Sequence, residues 1–273
     1  MSSKDKEMTA AVPVPECNWT GFYIGGNAGF NGNYYDFSSS DVTVDQTNMV
    51  TGPVKFQLND AQGRDELEFL GGGQAGYLWQ FHRWVVGLEF DGQKMGDADR
   101  KTHISRFATE TTFFSESDTV ARFDRSVKTE WMASGRLRIG YTFNCIMIYA
   151  TGGGAMAGQT ADFVGRATTT SFFTGGEALG PVGGIIQNTT VSNRVSSSDD
   201  NTLVGWTVGG GIDWQACRWA RLGVEYRHTE FGSESYKFAG GTGISSSSTD
   251  VGLVNDQVTL RVNIPFAAFF GGR

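Results

Sequence analysis

Taken two residues at a time, positions 19–32 separate into two faces. Thr20, Phe22, Ile24, Gly26, Ala28 and Phe30 form a mostly apolar one. Trp19, Tyr23, Gly25, Asn27, Gly29 and Asn31 form the other, small or polar after two aromatics. A period of two with one apolar face predicts a strand between a greasy and a wet medium. The pattern returns at 66–80, 84–95, 128–143, 146–158, 202–215, 219–231 and 254–266. Outward positions include Leu67, Phe69, Leu88, Phe90, Leu137, Ile139, Ile148, Val208, Ile212, Val224, Leu260 and Val262.

The connections alternate in length. Short turns fall near 81–83, 144–145 and 216–218, whereas 33–64, 96–127, 159–201 and 232–253 read as long polar loops without a clear period. Tight turns on one side and long loops on the other are the asymmetry of a membrane barrel. The strands are about 12 to 16 residues long, enough for a tilted strand to cross hydrocarbon, whereas strands of soluble sandwiches are nearer 5 or 6. The expected fold is therefore all-β: an eight-stranded, antiparallel, up-and-down transmembrane β-barrel. It would occupy residues 19–273 behind a flexible, Pro-containing lead-in at 1–18.

Bulky rings collect at the short turns. Trp79, Trp84, Phe143, Trp214 and Trp219 are expected to form an interfacial girdle, one edge toward lipid and the other toward headgroup water.

The opposite face of the strands is charged. The alternation places Glu66, Glu68, Glu89, Asp91, Glu130, Arg136, Arg138, Asp213, Arg221, Glu225, Arg227 and Arg261 in the lumen. An eight-stranded barrel leaves just enough room for side chains, and charges buried there must pair. The set reads either as an ion-paired plug or as a gate whose pairs exchange to open a narrow path. The sequence leaves that choice open.

Composition narrows the classes. Of 273 residues, 39% are hydrophobic and 38 are Gly, and no apolar run approaches the roughly 20 residues of a membrane helix. The net charge of -7 with scattered basic residues argues against nucleic-acid binding. Three cysteines and three histidines lack metal-ligand spacing, so neither a metal nor a cofactor is expected. Cys17, Cys145 and Cys217 fall on one rim, the periplasmic one. They read as a Cys145–Cys217 bond between turns with Cys17 left over, or as three free thiols. Residues 1–17 lack the apolar core of a secretory leader, and the leader that an outer-membrane protein needs is expected to have preceded this chain.

Catalytic readings are weak. Gly71, Gly73 and Gly76 match a dinucleotide fingerprint in letters, but they sit inside one strand with no helix following. Glu89 and Asp91 are a carboxylate pair, yet their place is the ion-paired lumen. His228 and Glu230 face outward at the external end of strand seven, where a lipase would need a nearby serine. Thr229 stands between them instead.

The opening WTGFYIGGNAGF, residues 149–153 (YATGG), residues 224–232 (VEYRHTEFG) and the closing 258–266 together resemble the outer-membrane β-barrel "porin family", which groups with opacity proteins and the barrel domain of outer-membrane protein A. The likeness covers the strands, about half the chain, and not the loops. It implies location in the bacterial outer membrane and contact with the lipid bilayer and lipopolysaccharide. It also implies recognition by the barrel-assembly machinery, and loops open to host or phage surfaces. Such barrels end on an aromatic. Here Phe266 would serve, although residues 267–273 extend past it, and His228 stands where the family often has Tyr. The expected role is structural and surface-interactive, without enzyme activity. The alternative is a narrow gated porin.

Overall fold

The computed structural model describes residues 17–45, 53–58, 63–64, 67–96, 100–111, 115–174 and 185–266. Glu66, residues 1–16 of the lead-in, and residues 267–273 lie outside them. The strands are β1 (Gly21–Ser39), β2 (Val42–Val44), β3 (Val54–Phe56), β4 (Gly63–Arg64), β5 (Glu68–Phe81), β6 (Trp84–Met95), β7 (Arg100–Thr111), β8 (Ser115–Phe143), β9 (Ile146–Thr174), β10 (Ile185–Cys217), β11 (Ala220–Phe238) and β12 (Ser247–Pro265).

Eight of them close a ring. The order is β1-β5-β6-β8-β9-β10-β11-β12, and β12 pairs back onto β1 from Tyr23↔Pro265 to Ser39↔Thr249. Every ladder of the ring is antiparallel, so no backbone edge faces lipid, as a hydrocarbon surround requires. Outward apolar side chains such as Phe22, Leu88, Leu137, Val204 and Leu260 are 50–70% exposed, and their inward neighbours Tyr23, Glu89, Arg136, Leu203 and Arg261 are buried. That alternation is the lipid belt. The tight turns fall at His82–Arg83, Asn144–Cys145 and Arg218–Trp219, and His82 and Asn144 adopt positive φ.

The long polar connections are not loops for most of their length. β8, β9 and β10 run for 29, 29 and 33 residues, and β7 adds a strand along the outer part of β8. The segments at 96–127 and 159–201, expected without secondary structure, are mostly strand above the membrane. Hydroxyl ladders hold them. Ser117–Ser171 and Thr119–Thr169 pair inside, at 2.5 and 2.9 Å, and Thr168–Ser192 and Thr170–Thr190 pair outside, at 3.1 and 3.3 Å. Thr fits a pleated strand well, and cross-strand Thr/Ser pairs stabilise it.

The alternation of β8 breaks once. The register shifts between Thr129 and Trp131, so inward parity is odd before the shift and even after it. Glu130 sits at this bulge and is exposed. Its expected place in the lumen is therefore corrected: strict alternation does not survive an inserted residue.

Candidate functional site

The interior is filled in layers from one end to the other. At the periplasmic mouth, residues 17–20 cross the opening before β1 begins. Trp19 is fully buried; its backbone N–H donates to Gln80 Oε1 at 2.8 Å, and the Arg221 guanidinium lies 4.8 Å from the ring centroid. Arg221 also donates to the Asn18 carbonyl at 3.2 Å. Cys17 then bonds to Cys145 in the β8–β9 turn, on the far side of the ring from β1.

This corrects two expectations. The disulfide is Cys17–Cys145 and not Cys145–Cys217; Cys217 keeps a free thiol. Cys17 and Asn18 are not the end of a loose lead-in but a strap. The cause is tertiary. Burying the Trp19 indole under Arg221 draws the chain across the mouth and brings the two Cα atoms to 5.2 Å, within bonding reach.

Above the strap lies the charged layer. Glu89 of β6 accepts from Arg136 Nη2 at 2.5 Å and Arg138 Nη2 at 2.9 Å on β8, and from Arg261 on β12. Glu225 of β11 accepts from Arg136 Nη1 at 2.5 Å, from Arg138 at 3.5 Å and again from Arg261. Asp213 of β10 pairs with Arg138 at 2.8 Å. Asp91 accepts from Arg227 Nη1 at 2.8 and 2.9 Å and lies 3.1 Å from Arg136. Four carboxylates thus meet four guanidiniums, all nearly inaccessible, drawn from five strands. Charges this deep are tolerable only when paired and hydrogen-bonded on several sides, and the forked Arg geometry supplies that.

Two tyrosines complete the layer, one on either side. The Tyr23 hydroxyl donates to Glu89, and the Tyr149 hydroxyl donates to Glu225 at 3.0 Å; the Arg138 guanidinium lies 3.8 Å from the Tyr149 ring centroid. Each ring needs a glycine beside it. A Cβ at Gly76 would come within 2.6 Å of the Tyr23 hydroxyl, and one at Gly211 within 2.5 Å of that of Tyr149. Next comes an amide layer, in which Asn27 bonds Gln74 at 2.5 Å and Gln93 at 2.9 Å. Arg227 donates to Gln93 at 2.5 Å, tying the two layers together.

The external half of the lumen holds an apolar cluster among buried polar side chains such as Asn33, Arg125, Thr129 and Gln159. Tyr35, Leu70, Phe123, Met132, Phe163, Leu203 and Phe238 are among its buried members. Phe123, Phe163 and Phe238 stack in series, with centroids 6.0 and 5.1 Å apart. The first and last external connections meet over this core. Val42, Val44, Phe56 and Ile244 are buried in it, Val44 bridges to Ile244, and Ser245 N–H donates to the Thr43 carbonyl at 2.8 Å.

Of the expected lumen residues, Glu89, Asp91, Arg136, Arg138, Asp213, Glu225, Arg227 and Arg261 meet in one network. Arg221 lies below it against Trp19, and Glu68 is buried farther out, opposite Asn31 on β1. The alternation puts Tyr23 and Tyr149 inward but does not show that their hydroxyls meet Glu89 and Glu225. The apolar upper core is not legible in it, because the segments carrying Phe123, Phe163 and Phe238 read as loops.

On the outer wall, Trp79, Trp84, Phe143, Trp214 and Trp219 are at least half exposed beside the short turns. Trp131 and Trp206 stand exposed toward the opposite rim. His228 pairs with Asp256 at 2.7 Å, and the Tyr226 hydroxyl donates to the same carboxylate at 2.8 Å. Gly71, Gly73 and Gly76 lie within β5.

No family model matches the chain. It is 27% identical over 227 residues to the "31 kDa outer-membrane immunogenic protein" of Brucella melitensis and to that of Brucella suis, covering 82% of this chain and 76% of each relative. It is 25% identical over 258 residues to the "22 kDa outer membrane protein" of Rhizobium leguminosarum bv. viciae, covering 93% and 82%. Among solved structures, Ail of Yersinia pestis covers 88% of this chain and 99% of its own, at 10% identity and a TM-score of 0.31. Neisserial surface protein A covers 90% and 98%, at 10% identity and 0.33. The fold is shown by the closed ring of eight antiparallel strands itself. The protein is an eight-stranded β-barrel of the bacterial outer membrane.

Proposed function

We propose that this outer-membrane barrel is a closed, non-catalytic anchor that carries a rigid external platform for surface contact. The observation behind the reading is the continuous filling of the lumen: strap, ion network, amides and apolar core succeed one another. The network is neutral by pairing, and opening a path through it would separate Arg–carboxylate contacts that water would have to replace. Breaking one buried pair costs about 3–5 kcal/mol, so a closed resting state is favoured. The external strands suit contact with other surfaces, since β7 to β10 form a standing sheet and not mobile loops. The word "immunogenic" in the names of the Brucella relatives fits exposure of such a region. Around it, lipopolysaccharide would touch the outer wall between the two aromatic rims, and the assembly machinery would read the end of β12 near Phe266.

The test is single-channel recording of the refolded protein in a planar bilayer. Protease protection should show insertion and the membrane should stay silent. Discrete, reproducible openings that change in Arg136→Ala, Arg138→Ala and Arg261→Ala would sink the closed-anchor reading and make the barrel a gated pore. Solubility without detergent would contradict both.

A further inference from the structure

The external sheet carries a charged row on its outer wall that the closed lumen does not use. Pairing sets Arg122 of β8 opposite Arg166 of β9, and Arg166 opposite Arg194 of β10. All three are exposed, while their inward neighbours Ala121, Ala167 and Val195 are buried. With strands about 4.8 Å apart, three guanidiniums follow one another across roughly 10 Å. Like charges placed directly opposite destabilise a sheet, so the row costs stability unless an anion answers it.

The chain itself answers little of it. Arg166 keeps 52% of its side chain exposed, and Asp124 stands 4.0 Å away, already bonded to His103 at 2.7 Å. Among the described residues, no carboxylate lies within ion-pair distance of Arg122 or Arg194.

The adjoining outward row is chemically different. Phe107, Val120, Thr168 and Ser192 lie side by side; Phe107 is 66% exposed, and the two hydroxyls are 3.1 Å apart. This ring lies outside the lipid belt. The strand between Trp131, at the external rim, and Arg122 runs about 30 Å, which the barrel's tilt reduces to roughly 20 Å of height. The headgroup phosphates that anchor the surrounding lipids sit at rim height, below the row.

We infer that this wall docks a sulfated polysaccharide presented from outside the cell. Three regularly spaced guanidiniums take up successive sulfates, the hydroxyl pair meets sugar hydroxyls, and Phe107 stacks on a sugar face. Guanidinium forks match such tetrahedral oxyanions better than ammonium groups do. The inference rests on the reading of the external sheet as a contact platform.

The full chain in lipid nanodiscs is titrated with dextran sulfate and with neutral dextran of the same length. Dextran sulfate should bind and neutral dextran should not. The combined variant R122Q/R166Q/R194Q should bind at least tenfold more weakly and lose most of the salt dependence. Phe107→Ser should weaken binding while keeping the salt dependence. R83Q/R218Q, at the periplasmic turns, should bind like the parent. Heat-modifiable mobility on gels checks that each variant is folded. Undiminished binding by the triple-arginine variant, or an equal loss in R83Q/R218Q, would overturn the inference. Capture of purified lipopolysaccharide through the three arginines, without response to dextran sulfate, would overturn it as well and assign the row to lipid. A silent membrane with no binding of dextran sulfate defeats this inference alone, whereas a conducting barrel defeats the anchor reading.

Discussion

Cys17 is bonded to Cys145 across the periplasmic mouth, joining the residue that precedes β1 to a turn on the opposite side of the ring. The bond closes a chain separation of 128 residues and holds Trp19 beneath Arg221. Peptide mapping without reductant should recover Cys17 linked to Cys145. Cys17→Ser should destabilise the barrel by about 2–4 kcal/mol and shift Trp19 fluorescence to the red. A peptide linking Cys145 to Cys217 would contradict the strap.

The ion network should behave as one unit. Glu89→Ala leaves Arg136, Arg138 and Arg261 facing one another around a lost acceptor. We expect a loss of about 3–5 kcal/mol in reversible unfolding from detergent or lipid. Combined with Arg261→Ala, it should lose less than the sum of the single changes, because the partners share the network. Additive losses would mean that Glu89 and Arg261 do not interact.

Gly211 permits the approach of Tyr149. A Cβ there would also come within 2.4 Å of the Val224 carbonyl on the neighbouring strand, so Gly211→Ala should cost about 1–3 kcal/mol even beside Tyr149→Phe. Gly92, where an added Cβ meets nothing within 4 Å, is the control: Gly92→Ala should leave the melting curve in place.

The bulge at Glu130 can be tested by removing it. Glu130→Gln should leave folding unchanged, since the side chain is exposed. Deleting Glu130 should also leave both facings of β8 intact, because Thr129 inward, Trp131 outward and Met132 inward then alternate strictly, with Thr129 and Trp131 opposite consecutive β9 residues, Gln159 and Gly158. The heat-modifiable form and the protease resistance of the external sheet should persist in the deletion. Loss of either would mean that the bulge itself is needed to hold the register of β8.

The barrel was legible in the sequence because its membrane part obeys two local rules. Lipid outside and a polar lumen inside force strict alternation, so Leu137 and Arg136, or Leu260 and Arg261, declare their faces from their own chemistry. Turn lengths are local too, and their asymmetry revealed which ends are periplasmic. Above the membrane the outer medium is water, both faces carry Ser and Thr, and the signal fades. The inward Ala121 and Phe123, with Ala161 and Phe163, become a core only when β8 and β9 are paired. Alternation assigns Glu130 to the lumen because a bulge leaves no mark in residue type. Which acid meets which arginine, which cysteine reaches Cys145, and the alignment of Arg122, Arg166 and Arg194 in one row all depend on register between strands far apart in sequence. Alternation assigns a side chain to a face, but only closure of the ring assigns it a neighbour.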